Sequence, residues 1–224
     1  MTTQSLRERL RVSGADNALV PSAYGPASSR TWRQQLQQKW LGQPYKALDT
    51  SKRQIRLIKL LPPDGQGDAG SLKCLLKTHS LDSTSKYDAV SYSWGSADDP
   101  RVIDVGGQQV PITRNLHAAL TTLQRTNAAR EWLWIDAISI NQDDTDERNA
   151  QVPLMKNVFG RAETVHIWLG PETTYTTLAI QRLDDIYFGR VRGRAVPEGD
   201  EGAALLSALG GLTQCLWWRR VRSA

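Results

Sequence analysis

The stretch Glu131–Gln151, EWLWIDAISINQDDTDERNAQ, constrains this chain more than any other. It opens on the apolar run Trp132, Leu133, Trp134 and Ile135 and then meets a single carboxylate, Asp136. Ala137–Ile140 leads from there to the polar cluster Asn141, Gln142, Asp143 and Asp144. A short apolar run bounded by polar residues fits a buried strand. Asp144 with Glu147 three residues later has the outline of a capping box, Asp replacing the usual Ser or Thr. The spacing therefore predicts a strand Trp132–Asp136, a loop, and a helix from about Thr145. Binding sites in open α/β sheets lie beyond the carboxyl ends of strands, so this loop is the first place to seek a site.

Around it the hydrophobic pattern changes period repeatedly. Gln54–Leu61 and Ser71–Thr78 alternate and predict a β-hairpin across the Gly/Asp loop 64–70. Tyr87–Gly95 predicts a strand with Val90, Tyr92 and Trp94 on one face. Val102–Val105 and Gln109–Ile112 flank Gly106–Gly107, a tight-hairpin signal. Thr113 caps a helix to about Thr126 with Leu116, Ala119, Leu120 and Leu123 as its apolar stripe. The helix from Thr145 to Ala162 directs Val152, Met155, Phe159 and Ala162 at the core, and Pro153 interrupts it. Thr164–Gly170 reads as another buried strand, Thr173–Phe188 and Ala203–Leu212 as helices. Strands and helices alternating from Tyr87 onward predict a mainly parallel α/β sheet with flanking helices, preceded by the hairpin.

Charge separates the chain into two parts. Residues 1–53 hold nine Lys/Arg against three Asp/Glu, while residues 87–170 hold seven against eleven. The expected folded centre is acidic and its flank basic, the reverse of a nucleic-acid binder's folded surface. Residues 1–44 are read as a basic, partly disordered flank. Within it Trp32, Leu36 and Trp40 fall at helical spacing over 30–41, either a surface-binding amphipathic helix or one docked on the domain. Cys74 and Cys215 are far apart and form no CxxC pair, which suits a reducing intracellular setting and not a disulfide framework. No apolar signal core and no run of membrane-spanning length is present in this sequence.

Two motifs of common chemistries are missing: GxxxxGK[ST] and GxSxG do not occur. His79, His117 and His166 are scattered, no His/Cys cluster has metal spacing, and no metal is expected. His166, inside an apolar strand, reads as a packed core residue.

Five blocks occur in an order that resembles the heterokaryon-incompatibility (HET) domain of filamentous fungi. They are SYSWG (Ser91–Gly95), NLHAAL (Asn115–Leu120), LWIDAISINQ (Leu133–Gln142), Glu147 and Arg148 with Gln151, Val152 and Met155, and VHIWLGP (Val165–Pro171). The resemblance covers about Tyr45 to Arg220 and sets 45–224 as the domain. It implies a cytoplasmic module of non-self recognition and programmed cell death that associates with protein partners or with itself. Ser139 stands where the family often has Cys, which argues against an essential thiol there. More distantly, KYDAVSYSWG and the order of elements resemble TIR (Toll/interleukin-receptor) domains, implying a flavodoxin-like fold. Some TIR domains hydrolyse NAD through a glutamate shortly after a Trp in the helix that follows the third strand. HET domains carry a comparable block, roughly W-W-x-R-x-W-x-x-Q-E. Here Trp217, Trp218 and Arg220 are followed by Val221 to Ala224, without the Gln-Glu, and the domain is expected to be incomplete there and inactive as an NAD glycohydrolase.

The candidate rim consists of Trp94, Asp136, Asn141, Gln142, Glu147 and Arg148. No cofactor is expected, with NAD or a related nucleotide as the ligand class such a rim would take. Each residue has a structural alternative. Asp136 either orients a ribose hydroxyl or binds the next turn. Asn141 and Gln142 either read a ligand or form an Asx-type turn. Glu147 is either an acid or the closing half of the capping box. Arg148 either binds phosphate or pairs on the surface, and Trp94 either stacks on a base or packs in the core.

Overall fold

A computed structural model of the chain describes residues 45–63, 72–83, 85–96, 98–126, 131–187, 199–213, 215 and 217. The flank 1–44 with its expected helix 30–41, the loop 64–70, and Trp218 and Arg220 lie outside the described residues. The chain divides into two units between His166 and Ile167.

The strands are β1 (Gln54–Leu60), β2 (Lys73–Ser80), β3 (Asp88–Tyr92), β4 (Arg101–Val105), β5 (Gln108–Ile112), β6 (Leu133–Trp134) and β7 (Val165–Trp168). The helices are α1 (Arg114–Thr126), α2 (Asp136–Ser139), α3 (Thr145–Gln151), α4 (Met155–Arg161), α5 (Thr174–Tyr187) and α6 (Gly199–Thr213). A 3-10 turn, Val152–Leu154, joins α3 to α4. The result is a seven-stranded mixed sheet of order β5-β4-β2-β1-β6-β3-β7 with flanking helices, the α/β class expected.

The hairpin β1–β2 precedes the alternating elements in sequence but occupies the middle of the sheet. Its antiparallel register runs from Gln54↔Ser80 to Leu60↔Cys74. β1 then pairs antiparallel with β6 (Ile58↔Leu133), and β2 pairs parallel with β4 (Lys73↔Asp104). β3 and β6 are parallel (Asp88↔Leu133, Ala89↔Trp134), so both strands end at the same rim. Placement at the centre explains why Ile55, Arg56, Leu57 and Ile58 are all buried, whatever face they point to. At one edge, β4 and β5 are joined by Gly106 and Gly107 with φ of 62° and 83°, the left-handed pair that a two-residue hairpin turn needs. Pro111 sits in β5, an edge strand, where its missing N–H leaves no ladder bond unmade on the outer side.

Helix positions follow their stripes. Thr113 Oγ1 accepts the Leu116 N–H at 3.3 Å, capping α1, and Leu116, Ala119, Leu120 and Leu123 are buried as expected. Pro153 breaks the long helix into α3, the 3-10 turn and α4. Val152, expected in the core, is 56% exposed, because it lies off the buried stripe that Glu147, Gln151 and Val158 form at helical spacing. Met155, Phe159 and Ala162 pack as expected against a cluster of Ile55, Leu57, Leu81, Tyr87, Ala89, Trp134, Ile140 and Val158. The Phe159 ring meets Trp134 edge-on at 5.3 Å and 80°. In the second unit, α5 and α6 pack through Ala179, Ala208 and Leu212. Helix α6 starts at Gly199, four residues before the expected Ala203.

Two outcomes follow from these positions. Leu57→Ala should lower unfolding free energy by about 2–5 kcal/mol, whereas Val152→Ala should change it by no more than about 0.5 kcal/mol. Urea denaturation of the two variants tests these positions, and a larger loss in Val152→Ala would refute the exposed placement of Val152. Both cysteines are free, and burial followed by the nearby Asp104 charge pushes the Cys74 thiol up to about 12. Alkylation at pH 8 followed by mass spectrometry should label Cys215 in the folded protein and Cys74 only after denaturant is added.

Candidate functional site

The organising stretch folds more tightly than its pattern indicates. Strand β6 stops at Trp134, and Asp136 opens the single-turn helix α2 instead of closing the strand. The physical reason is local. Ser139 Oγ accepts the Ile135 N–H at 3.1 Å, and the Ser139 N–H returns to the Ile135 carbonyl at 2.7 Å. These bonds satisfy the backbone of Ile135 inside a turn, so no neighbouring strand is required. Ser139 is fully buried, and a small hydroxyl is what this turn uses.

Asp136 is 5% exposed and binds the turn that follows it. Its Oδ1 accepts the Ala137 N–H at 2.8 Å. Its carbonyl accepts from the Ile140 N–H at 3.2 Å and from Gln142 Nε2 at 2.8 Å. Its other carboxylate oxygen, Oδ2, accepts from Trp94 Nε1 at 3.2 Å. Trp94 lies two residues past the end of β3 and is half-buried. The turn that carries it is fixed from α1, where Asn115 Nδ2 donates to the Ser93 carbonyl at 2.7 Å. Gly95 follows with φ +73°, and a Cβ there would stand 3.0 Å from Asn115 Cβ. Glycine is therefore needed at this position for both conformation and space. The parallel β3–β6 pair thus brings Trp94 and Asp136 together, as the strand order implied.

The remaining four candidates make hydrogen bonds in two pairs, Glu147 with Asn141 and Arg148 with Gln142. Asp144 Oδ1 accepts the Glu147 N–H at 2.9 Å, which is one half of the expected capping box. The Glu147 side chain turns inward, is buried, and its Oε1 accepts the Asn141 N–H at 2.7 Å. Asn141 Oδ1 accepts the Asp143 N–H at 3.3 Å, the Asx-type turn. Arg148 Nη1 donates to the Gln142 carbonyl at 3.1 Å, and its Nη2 reaches Thr145 Oγ1 at 3.4 Å.

Arg56 is the residue that sequence reasoning missed. It stands in the middle of β1 and is 1% exposed. Nη1 donates to Glu147 Oε1 at 2.5 Å and Nη2 to Glu147 Oε2 at 2.8 Å, a bidentate pair. Nη1 also donates to the Ser139 carbonyl at 3.2 Å. The available signal was an arginine flanked on both sides by apolar residues in QIRLIKLL. Such a position forces the guanidinium to find an acid or carbonyls inside the fold.

His166 is buried, and its Nε2 lies 2.8 Å from Asp88 Oδ2, which agrees with a core role. Among the described residues, no group of three or more His, Cys, Asp and Glu side chains could hold a metal ion. Among the same residues, no helix is long and apolar enough to cross a membrane.

The family profile described as heterokaryon incompatibility protein (HET) matches residues 87–221, more than half of the chain. The chain is also similar to heterokaryon incompatibility protein 6, OR allele, of Neurospora crassa, with 30% identity over 152 residues. That alignment covers 62% of this chain and 22% of the Neurospora protein, so the chain corresponds to a minor part of that protein's length. No solved structure matches.

Removing one member of a buried pair leaves an uncompensated charge, so Arg56→Met and Glu147→Met should each cost about 3–5 kcal/mol of stability. Arg56→Met/Glu147→Met should be less destabilised than the sum of its two single substitutions by more than about 1 kcal/mol. Additive losses in a denaturation cycle would show that the pair is not the coupling described above.

Proposed function

The chain belongs to the heterokaryon incompatibility (HET) family, and from that premise we propose that it is a signalling and interaction module of fungal non-self recognition. It acts in the cytoplasm, through protein partners or self-association, to trigger or regulate programmed cell death. Residues 45–224 form the module and residues 1–44 its basic flank. The observation that carries this reading is the family match over 87–221.

The geometry supports a binding role over a catalytic one. The family-like blocks are tied to one another: SYSWG to LWIDAISINQ by Trp94–Asp136, and NLHAAL to SYSWG by Asn115–Ser93. Glu147, the acid that the central loop would offer to chemistry, has both oxygens bound by Arg56 and one of them by the Asn141 N–H. A general acid needs an oxygen within reach of the substrate, and these atoms serve the scaffold. A TIR-like NAD glycohydrolase is the competing reading, and the same preparation tests it.

Induced expression of the full chain in a filamentous fungal host should arrest growth, and tagged protein should retain a partner or a second copy of itself. Absence of both the growth phenotype and any association would overturn the proposal. Purified chain incubated with NAD should release nicotinamide no faster than buffer. Turnover abolished by Asp136→Asn would transfer the function to the enzymatic reading.

A further inference from the structure

Arg56 has a second set of contacts, on a segment remote from the central loop in sequence. Nη2, which binds Glu147 Oε2 at 2.8 Å, also donates to the Lys46 carbonyl at 2.5 Å. The Tyr45 ring lies over the same guanidinium, with 4.9 Å from Cζ to the ring centroid. Residues 45–49 form neither helix nor strand, Tyr45 is half-buried and Lys46 is exposed. This stretch has no ladder of its own; its N-terminal end meets Arg56 through the Tyr45 ring and the Lys46 carbonyl, and its other end is tied to β1 by the Asp49 N–H, which donates to Gln54 Oε1 at 2.8 Å. On the other side of the guanidinium are the Ser139 carbonyl and Glu147, and Glu147 in turn holds the Asn141 N–H.

The chemistry of the cover fits its position. Glu147 already neutralises the guanidinium, so a second acid would bring an uncompensated charge into a buried site. A neutral carbonyl and an aromatic face satisfy the cation without adding charge. Nε of Arg56 has no hydrogen-bond partner among the described residues. With the Lys46 carbonyl gone, the adjacent Nη2 would have one N–H unpaired as well. Two unpaired donors on one buried guanidinium favour entry of water. Water at Arg56 then competes for the Ser139 carbonyl and for Glu147, the two groups that fix the start and the middle of the 139–142 turn.

We propose that Tyr45–Lys46 is a latch over the buried Arg56–Glu147 pair, and that lifting it releases the 139–142 turn. The inference concerns loop mobility and stands whether the loop serves association or chemistry.

Hydrogen exchange of the full chain, read by mass spectrometry, tests it. Tyr45→Ala should speed exchange of the peptide covering 139–142 by roughly tenfold and leave the β5 edge, 108–112, at its wild-type rate. Tyr45→Phe keeps the ring and should match wild type. Tyr45→Leu keeps apolar bulk without the ring face and should behave as Tyr45→Ala, and it carries the test if Tyr45→Ala does not fold. Unchanged exchange at 139–142, equal acceleration at 108–112, or Tyr45→Phe behaving as Tyr45→Ala would each overturn the latch.

Discussion

The ion pair between Arg56 and Glu147 is the interaction on which the rest of the central architecture depends. It joins the middle of the sheet to the start of α3, residues 91 positions apart in sequence. A pair this deep is no free gain in stability, because desolvating both groups offsets much of their attraction. Its consequence is specificity. Arg56 can be buried only where an acid and carbonyls meet it, and Glu147 can turn inward only where a cation waits. Each residue makes the other's position obligatory, and the turn between Ser139 and Asn141 is held by both.

That arrangement explains why so short a strand suffices at β6. Leu133 and Trp134 make ladder contacts with β1 on one side and β3 on the other. Beyond them the chain is held by side chain-to-backbone bonds: Ser139 to Ile135, Asp136 to Ala137, Gln142 to Asp136 and Glu147 to Asn141. Such bonds are local and short-ranged, so the turn keeps one shape without further strand pairing. The same economy of form appears on the facing side, where Asn115 holds the Ser93 carbonyl and leaves no room for a side chain at Gly95.

For an incompatibility-family chain, this has a functional meaning. Polar residues concentrated at a strand-end rim invite a catalytic interpretation. Here most of their hydrogen-bonding atoms face one another or the backbone, which is how a rim is made rigid.

Much of this was determined by the sequence alone. The periodicity of 54–61 and 71–78, the Gly106–Gly107 turn, the Thr113 cap and the stripe of α1 are short-range signals, and each set its element. Pro153 breaks its helix for a reason internal to the proline ring. The ordered blocks identified the family from residue identity without any geometry. Tertiary structure decided what depends on distant neighbours. The hairpin's place in the middle of the sheet is a pairing choice that no local pattern encodes. Val152 stands outside the core because its neighbour Gln151 turns inward, its Nε2 donating to the Gln54 carbonyl. Asp136 began a turn because Ser139 could satisfy Ile135. Glu147 abandoned the reciprocal half of its capping box because Arg56, far away in the chain, offered a buried cation. A charged residue in an apolar strand signals that a partner must exist, but only the folded chain selects which one.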